Sequence, residues 1–155
     1  MNIFNELHQR FLFELLNHHV DFMVVGGLSV VFHGYLRTTG DMDLWIRPSN
    51  ENKIKLLRVI SQFGLSQDSI ALLQTKDFTE TLAFHFNKPP DKIEFLTHIS
   101  GLKFDDAVKN CTYLAIGHWK IPFIGFEDLI TNKISAKRLK DLADVEELQK
   151  IRKNK

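Results

Sequence analysis

Two aspartates separated by one residue are the part of the sequence whose type and spacing most directly indicate chemistry. Asp41 and Asp43 begin the segment Asp-Met-Asp-Leu-Trp-Ile, whose apolar character predicts a strand. Residues two apart in a strand share one face, with Cα atoms roughly 6.5–7 Å apart. Both carboxylates can then reach one hard cation or straddle two. Because like charges this close repel each other, bound Mg²⁺ is their natural partner.

A pair of glycines precedes the aspartates. Residues 22–25 form an apolar run typical of a buried strand, Gly26 and Gly27 interrupt it, and residues 28–35 predict a short helix. Glycines at such a turn let the backbone approach a ligand, and the start of a helix offers unpaired N–H groups to a phosphate. Gly26, Gly27 and the hydroxyl of Ser29 are therefore candidate ligands of a triphosphate.

The order and spacing of these residues resemble a known superfamily. A hydrophobic residue followed by Gly-Gly at 25–27, thirteen further residues, and Asp-hydrophobic-Asp-hydrophobic at 41–44 are similar to the signature of the DNA polymerase beta-like nucleotidyltransferases. With Arg37 and Thr39, the form Arg-x-Thr-x-Asp-x-Asp resembles the small prokaryotic nucleotidyltransferase-like proteins. These include relatives of the AbiEii toxins and of the minimal nucleotidyltransferase antitoxins.

The resemblance implies a third carboxylate on a later strand. In the superfamily this residue is commonly Asp, and Glu94 within Ile-Glu-Phe-Leu at 93–96 matches its position. The glutamate is one methylene longer, which can shift the geometry of a metal site and weaken catalysis. The alternative is an outward-facing charge on a half-exposed strand, which is where glutamate is usually found.

The resemblance also implies a cationic residue near the phosphates. Residues 132–141 are similar to the closing segment of the small nucleotidyltransferase proteins, in which a lysine approaches the nucleotide, and Lys133 is the favoured candidate. The alternative is a solvated helix face. In that case Lys137 with Asp141 and Lys140 with Asp144 form exposed ion pairs, each worth only a few tenths of a kcal/mol.

These residues imply a reaction and leave a rival function open. The leading hypothesis is Mg²⁺-dependent transfer of a nucleoside monophosphate from an NTP to an unidentified hydroxyl of a tRNA, a protein or a small molecule. Arg37 or Lys133 would offset the charge of the triphosphate. The rival is a weak or inactive nucleotidyltransferase-fold binding protein, such as an antitoxin or a partner in a two-component system. A third reading is that Asp41 and Asp43 only form a polar strand edge.

Size and composition constrain the setting of this chemistry. A chain of 155 residues with 44% hydrophobic residues predicts a single domain over residues 1–155. A net charge of +1 excludes overall polyelectrolyte character, so any nucleic-acid binding needs a local patch. Cys111 is the only cysteine, which excludes an internal disulfide. With no signal peptide and no membrane-length apolar run, we expect a cytoplasmic protein without a membrane partner.

The pattern along the chain predicts an α/β (α+β) nucleotidyltransferase-like fold, in which a small mixed sheet is flanked by helices and the C-terminal part is helical. Besides the central segment, the predicted helices cover residues 3–17, 54–63, 69–73 and 105–109. The predicted strands cover residues 81–86, 92–97, 111–116 and 119–124, with the first two forming a hairpin. From residue 126 onwards the pattern is helical, as one long helix or as two with a bend near 135–138.

Overall fold

The computed structural model describes residues 3–154, which form a mixed sheet flanked by helices. Its elements, in chain order, are α1 Glu6–Asn17, β1 Phe22–Val25, α2 Gly26–Phe32, β2 Met42–Ile46, α3 Asn50–Gln62, α4 Gln67–Gln74, β3 Ala83–Phe86, β4 Ile93–Leu96, α5 Phe104–Ala107, β5 Thr112–Ile116, β6 Trp119–Phe123, α6 Phe126–Ala136 and α7 Leu139–Lys153. None of the helices in this range is long and apolar enough to cross a membrane.

The six strands form one sheet in the order β3-β4-β2-β1-β6-β5. The central strand β1 is antiparallel to β2 and parallel to β6, and β2 is parallel to β4. Antiparallel hairpins, β3 with β4 and β5 with β6, complete the two edges. This arrangement confirms the predicted fold class, a small mixed sheet with flanking helices.

The two faces of the sheet bury different apolar clusters. Alternate strand residues such as Val24 and Leu44 pack with α1 and α3, while Met23 and Trp45 belong to a second cluster that includes residues of α6 and α7. Because side chains alternate along a strand, Asp43 lies on the same face as Trp45. The predicted carboxylates therefore lie on the face that the two C-terminal helices partly cover.

Side-chain caps define where three of the helices begin. Asn5, Ser49 and Ser66 cap α1, α3 and α4, each with a side-chain oxygen that accepts a backbone N–H. The C-terminal region forms two helices rather than one, because Lys137 adopts a left-handed conformation with φ of 60°. Several predicted boundaries are wrong by two or more residues, and the one that affects the site is α2, which begins at Gly26, two residues earlier than expected, and ends at Phe32.

Candidate active site

Three carboxylates from two strands lie together at one place on the sheet. In the parallel pair β2 and β4, Asp43 is the register partner of Glu94, and Asp41 immediately precedes β2. One carboxylate oxygen from each of Asp41, Asp43 and Glu94 lies within 4.8 Å of the other two. The structure therefore places Glu94 beside the aspartates and not on the opposite face.

The carboxylates line a cavity of about 490 Å³. Gly26 and Gly27, at the end of β1, line it next to the acidic residues. Arg37, Lys133, Arg138 and Lys140 supply cationic side chains to the lining, and the loop after β4 completes the wall. The cavity thus combines three acidic groups with a rim of positive charge.

Glycine is required at the turn because the turn touches its neighbours closely. Gly26 has a φ of 67°, and a Cβ atom there would lie 2.1 Å from Oδ2 of Asp43. A Cβ atom on Gly27 would lie 2.5 Å from Oγ1 of Thr39. Real Cβ atoms do not approach other atoms so closely, and a left-handed φ is costly for other residues. The glycine pair therefore lets the first turn of α2 pack directly against the acidic strand.

The acidic residues are only partly neutralised by the protein itself. Burial, the charge of Glu94 and the charge of Asp41 together raise the pKa of Asp43 to about 6. Lys92 gives limited compensation, with its Nζ 3.5 Å from Oδ2 of Asp41. Three close carboxylate oxygens with too little positive charge are the donor set that a hard divalent cation prefers.

Arg37 and Lys133, the predicted phosphate ligands, line the cavity but are held by acidic residues of α7. Nζ of Lys133 lies 3.1 Å from Oδ1 of Asp141 and 3.0 Å from Oδ2 of Asp144. Arg37 donates from Nη2 to Oδ2 of Asp144 at 3.0 Å. Its Nε is 2.9 Å from Oδ1, but the N–H is not aligned for a second hydrogen bond. Both predicted cations therefore already have counterions.

This buried network corrects the predicted ion pairs. Asp141 and Asp144 do not form exposed pairs with Lys137 and Lys140, because the helix breaks at Lys137 and α7 presents both aspartates to the interior. Burial acts to raise the pKa of Asp141, but hydrogen bonds from Arg138 and Lys133 outweigh it and lower that pKa. Lys133, predicted as a surface residue in the alternative interpretation, is only 4% exposed.

Ser29 is not brought together with the other predicted residues. Because α2 begins at Gly26, Ser29 falls one turn inside the helix and is fully buried. Its hydroxyl donates a hydrogen bond of 2.6 Å to the carbonyl oxygen of Gly26. The interpretation of Ser29 as a phosphate ligand is corrected accordingly, because its hydroxyl binds the backbone of the glycine turn instead.

Some cavity residues were missed by sequence reasoning. Arg138 and Lys140 lie in the segment 132–141, in which only Lys133 was predicted to contact phosphate. Their basic side chains would have indicated the same role. His98 carries no spacing signal, since it lies four residues beyond Glu94 in an irregular segment. Its place in the wall depends on the bend of the chain after β4.

The fold and the carboxylate cluster together define a protein of the nucleotidyltransferase class, and comparison with known proteins agrees. The family described as nucleotidyl transferase of unknown function (DUF2204) matches residues 5–155, so the chain belongs to that family. A crystal structure of a putative nucleotidyltransferase from Thermotoga maritima has a similar fold, with a TM-score of 0.56 and 18% sequence identity over 95% of this chain and 89% of that chain. No curated protein sequence matches the chain.

Proposed function

We propose that the protein is a Mg²⁺-dependent nucleotidyltransferase that transfers a nucleoside monophosphate from an NTP to an acceptor hydroxyl. The observation that carries this proposal is the convergence of Asp41, Asp43 and Glu94 within 4.8 Å beside the glycine turn. Membership of a nucleotidyl transferase family supports the reaction class.

Asp41, Asp43 and Glu94 would hold the metal. The fit rests on their chemistry, since all three offer hard oxygen atoms, and burial together with the charges of Glu94 and Asp41 raises the pKa of Asp43. When bound, Mg²⁺ supplies charge neutralisation at phosphate oxygens and activation of an attacking hydroxyl. The longer side chain of Glu94 reaches the same point as the aspartates, so it does not by itself exclude a complete site.

The glycine turn and the cationic rim would bind the triphosphate. The first turn of α2 carries backbone N–H groups, and the missing side chains of Gly26 and Gly27 allow phosphate oxygens to approach them. Lys140 lines the cavity and forms no ion pair among the described residues, and its charge acts against the larger effects that raise the pKa of Asp43. It is therefore a better candidate than Lys133 for direct contact with a phosphate.

The reaction is a substitution at the α-phosphorus. The acceptor oxygen forms a bond to that phosphorus, and the bond from the phosphorus to the bridging oxygen breaks. Pyrophosphate leaves with the bond electrons, and the hydroxyl proton passes to solvent. The role of Arg37, Arg138 and Lys140 would be to stabilise the charge that develops on the leaving group.

Calorimetry with each NTP in the presence of Mg²⁺ tests the site. We expect the parent protein to bind at least one NTP only when Mg²⁺ is present, and Asp41→Asn/Asp43→Asn to lose that binding. Asp68→Asn/Asp106→Asn is a matched control, because it removes the same charge from two exposed positions. Equal binding by the parent and the site variant would show that these carboxylates hold neither metal nor nucleotide.

The acceptor can be sought directly. Purified protein is incubated with an NTP labelled at the α-phosphate, Mg²⁺ and a bacterial cell extract, and label is followed into RNA, protein and small molecules. We expect one fraction to take up label with the parent and none with Asp41→Asn/Asp43→Asn. Label in none of the three fractions contradicts transfer activity.

A second function has one observation in its favour. Because Arg37 and Lys133 already have buried counterions in Asp144 and Asp141, fewer cations are free for a triphosphate than the sequence predicts. This favours a weak or inactive nucleotidyltransferase-fold binding protein, such as the antitoxin or partner of a two-component system related to AbiEii. Absence of Mg²⁺-dependent NTP binding in the parent supports this alternative, and binding that depends on Asp43 contradicts it.

A further inference from the structure

His98 occupies a defined place in the wall of the cavity. It follows β4 after a bend at Thr97, it is exposed, and it lines the same cavity as Glu94. The segment that carries it is fastened to α6, since Nδ2 of Asn132 donates to the carbonyl oxygen of Ser100 at 3.0 Å. His98 is therefore presented to the cavity by a segment anchored at the sheet and at a helix.

The hydrogen bonds of Thr97 determine which nitrogen of His98 carries the proton. Oγ1 of Thr97 is 2.7 Å from the carbonyl oxygen of Glu80, which can only accept, so the single hydroxyl proton points there. The same Oγ1 accepts from the backbone N–H of Leu82 at 2.8 Å. Nδ1 of His98, 2.9 Å from Oγ1, must then be the donor. In the neutral ring Nε2 is left with a lone pair and no proton.

Apolar side chains also line the cavity that His98 lines. They are Leu96, Ile99 and Ala136, and all three are half-buried. His98 lies four residues from Glu94, a span of up to roughly 13 Å along an extended chain. A separation of that size would suit the far end of a ligand whose phosphate groups are held at the carboxylates. A few apolar side chains with one directed polar atom are typical of a site for a small ring system.

We infer that His98 is a specificity residue that accepts a hydrogen bond at Nε2 from an N–H group of the nucleobase, while Leu96 and Ile99 contact the base. The inference rests on the proposed function, because it places the triphosphate at the carboxylates. It adds the position of the base and a requirement for an N–H donor on its edge. An NTP whose base lacks such a donor should then bind less tightly.

Binding measurements with Mg²⁺ separate the two ends of the ligand. The probes are the four NTPs and inorganic tripolyphosphate. In addition, purine riboside triphosphate is compared with ATP, and N3-methyl-UTP is compared with UTP. We expect His98→Ala to weaken the tightest NTP roughly three- to tenfold and to leave tripolyphosphate unchanged. His98→Gln, which restores an acceptor oxygen, should recover part of the loss. His118→Ala, at the exposed β5–β6 turn, is the control and should change neither.

Each outcome is decisive for one of the two proposals. Nitrogen NMR of the parent should show His98 Nε2 unprotonated in the neutral ring, and the opposite tautomer overturns the inference. Equal NTP affinity in the parent and His98→Ala overturns it too, while the proposed function stands. An equal loss for tripolyphosphate also overturns it, because His98 would then act at the phosphate end. If the parent binds neither NTP nor tripolyphosphate with Mg²⁺, the proposed function itself fails.

Discussion

One acidic cluster lines the cavity and a second pairs with basic residues that line it, and the two clusters differ in how well their charge is balanced. Asp141 and Asp144 are buried and share three cations, namely Arg37, Lys133 and Arg138. Asp41, Asp43 and Glu94 have one cation among the described residues within ion-pair distance, Lys92. Buried carboxylates with enough counterions thus stabilise the fold, whereas carboxylates with too few counterions are available to bind a ligand.

Removing a cation from the balanced cluster should give the largest effect. Lys133→Met leaves two buried aspartates with one counterion fewer, and we expect a loss of about 3–5 kcal/mol in the free energy of unfolding at neutral pH. Urea denaturation measures it. Because the pKa of Asp141 is lowered, its stabilising contribution is present above about pH 3.8 and lost as pH falls through its lower folded value, so the defect should shrink in acid.

The control for this variant is Lys150→Met on the same helix as the aspartates. Lys150 is 60% exposed and its ion pairs are with exposed glutamates, so a change within about 0.5 kcal/mol is expected. Equal effects of the two variants would show that the buried network contributes no more than surface charge. The two acidic clusters would then not differ in how much their charge balance contributes to stability.

In the unbalanced cluster, loss of a charge should affect binding more than folding. Glu94→Gln removes one charged oxygen donor, and we expect Mg²⁺-dependent NTP affinity to fall about 10- to 100-fold with little change in unfolding. Calorimetry measures the affinity, with Glu80→Gln at an exposed position as control. If Glu94→Gln binds as the parent does, then the metal is held without the third carboxylate.

The glycine turn can be tested with a neighbouring pair of variants. Gly26→Ala forces a side chain into a left-handed conformation and against Asp43, so we expect a loss of about 1–2 kcal/mol in stability and weaker NTP binding. Gly40→Ala is the control, because a Cβ atom there meets nothing within 4 Å. Thermal unfolding and calorimetry measure both effects. Equal behaviour of the two variants would contradict the close approach of the turn to Asp43.

The smallest expected effect is a gain in the free energy of unfolding rather than a loss. Asp43→Asn should stabilise the metal-free protein by about 1–2 kcal/mol above pH 6, after discounting its pKa shift for partial exposure. A carboxylate whose folded pKa is raised from 3.8 to about 6 costs stability as pH rises between these values. The gain should therefore vanish below about pH 4. A destabilised variant at pH 7.5 would mean that the charge of Asp43 is compensated within the protein.

The sequence predicted the local parts of the site well. The strand 22–25, the glycine pair, the alternation at Asp41 and Asp43, and the hairpin that carries Glu94 all follow from patterns of a few residues. Such patterns depend on backbone geometry that acts over short distances. The mixed sheet flanked by helices follows from the order of these same elements.

The parts that depend on distant contacts could not be predicted. Arg37 meets Asp144 across 107 positions, and no local pattern signals that contact. The expected surface pairs of Lys137 and Lys140 assumed that Asp141 and Asp144 face solvent, whereas both aspartates are buried. Ser29 was displaced by a helix start two residues earlier than expected. The place of His98 in the cavity lining depends on the bend that follows β4, which no sequence pattern indicates.

The tie between Arg37 and Asp144 has a consequence for the order of events during biosynthesis. The acidic strand and its glycine turn emerge early from the ribosome, but their neighbouring guanidinium has no counterion until α7 has been translated. A nascent chain that stops short of residue 144 therefore exposes an unfinished cleft with charges that are still unmatched.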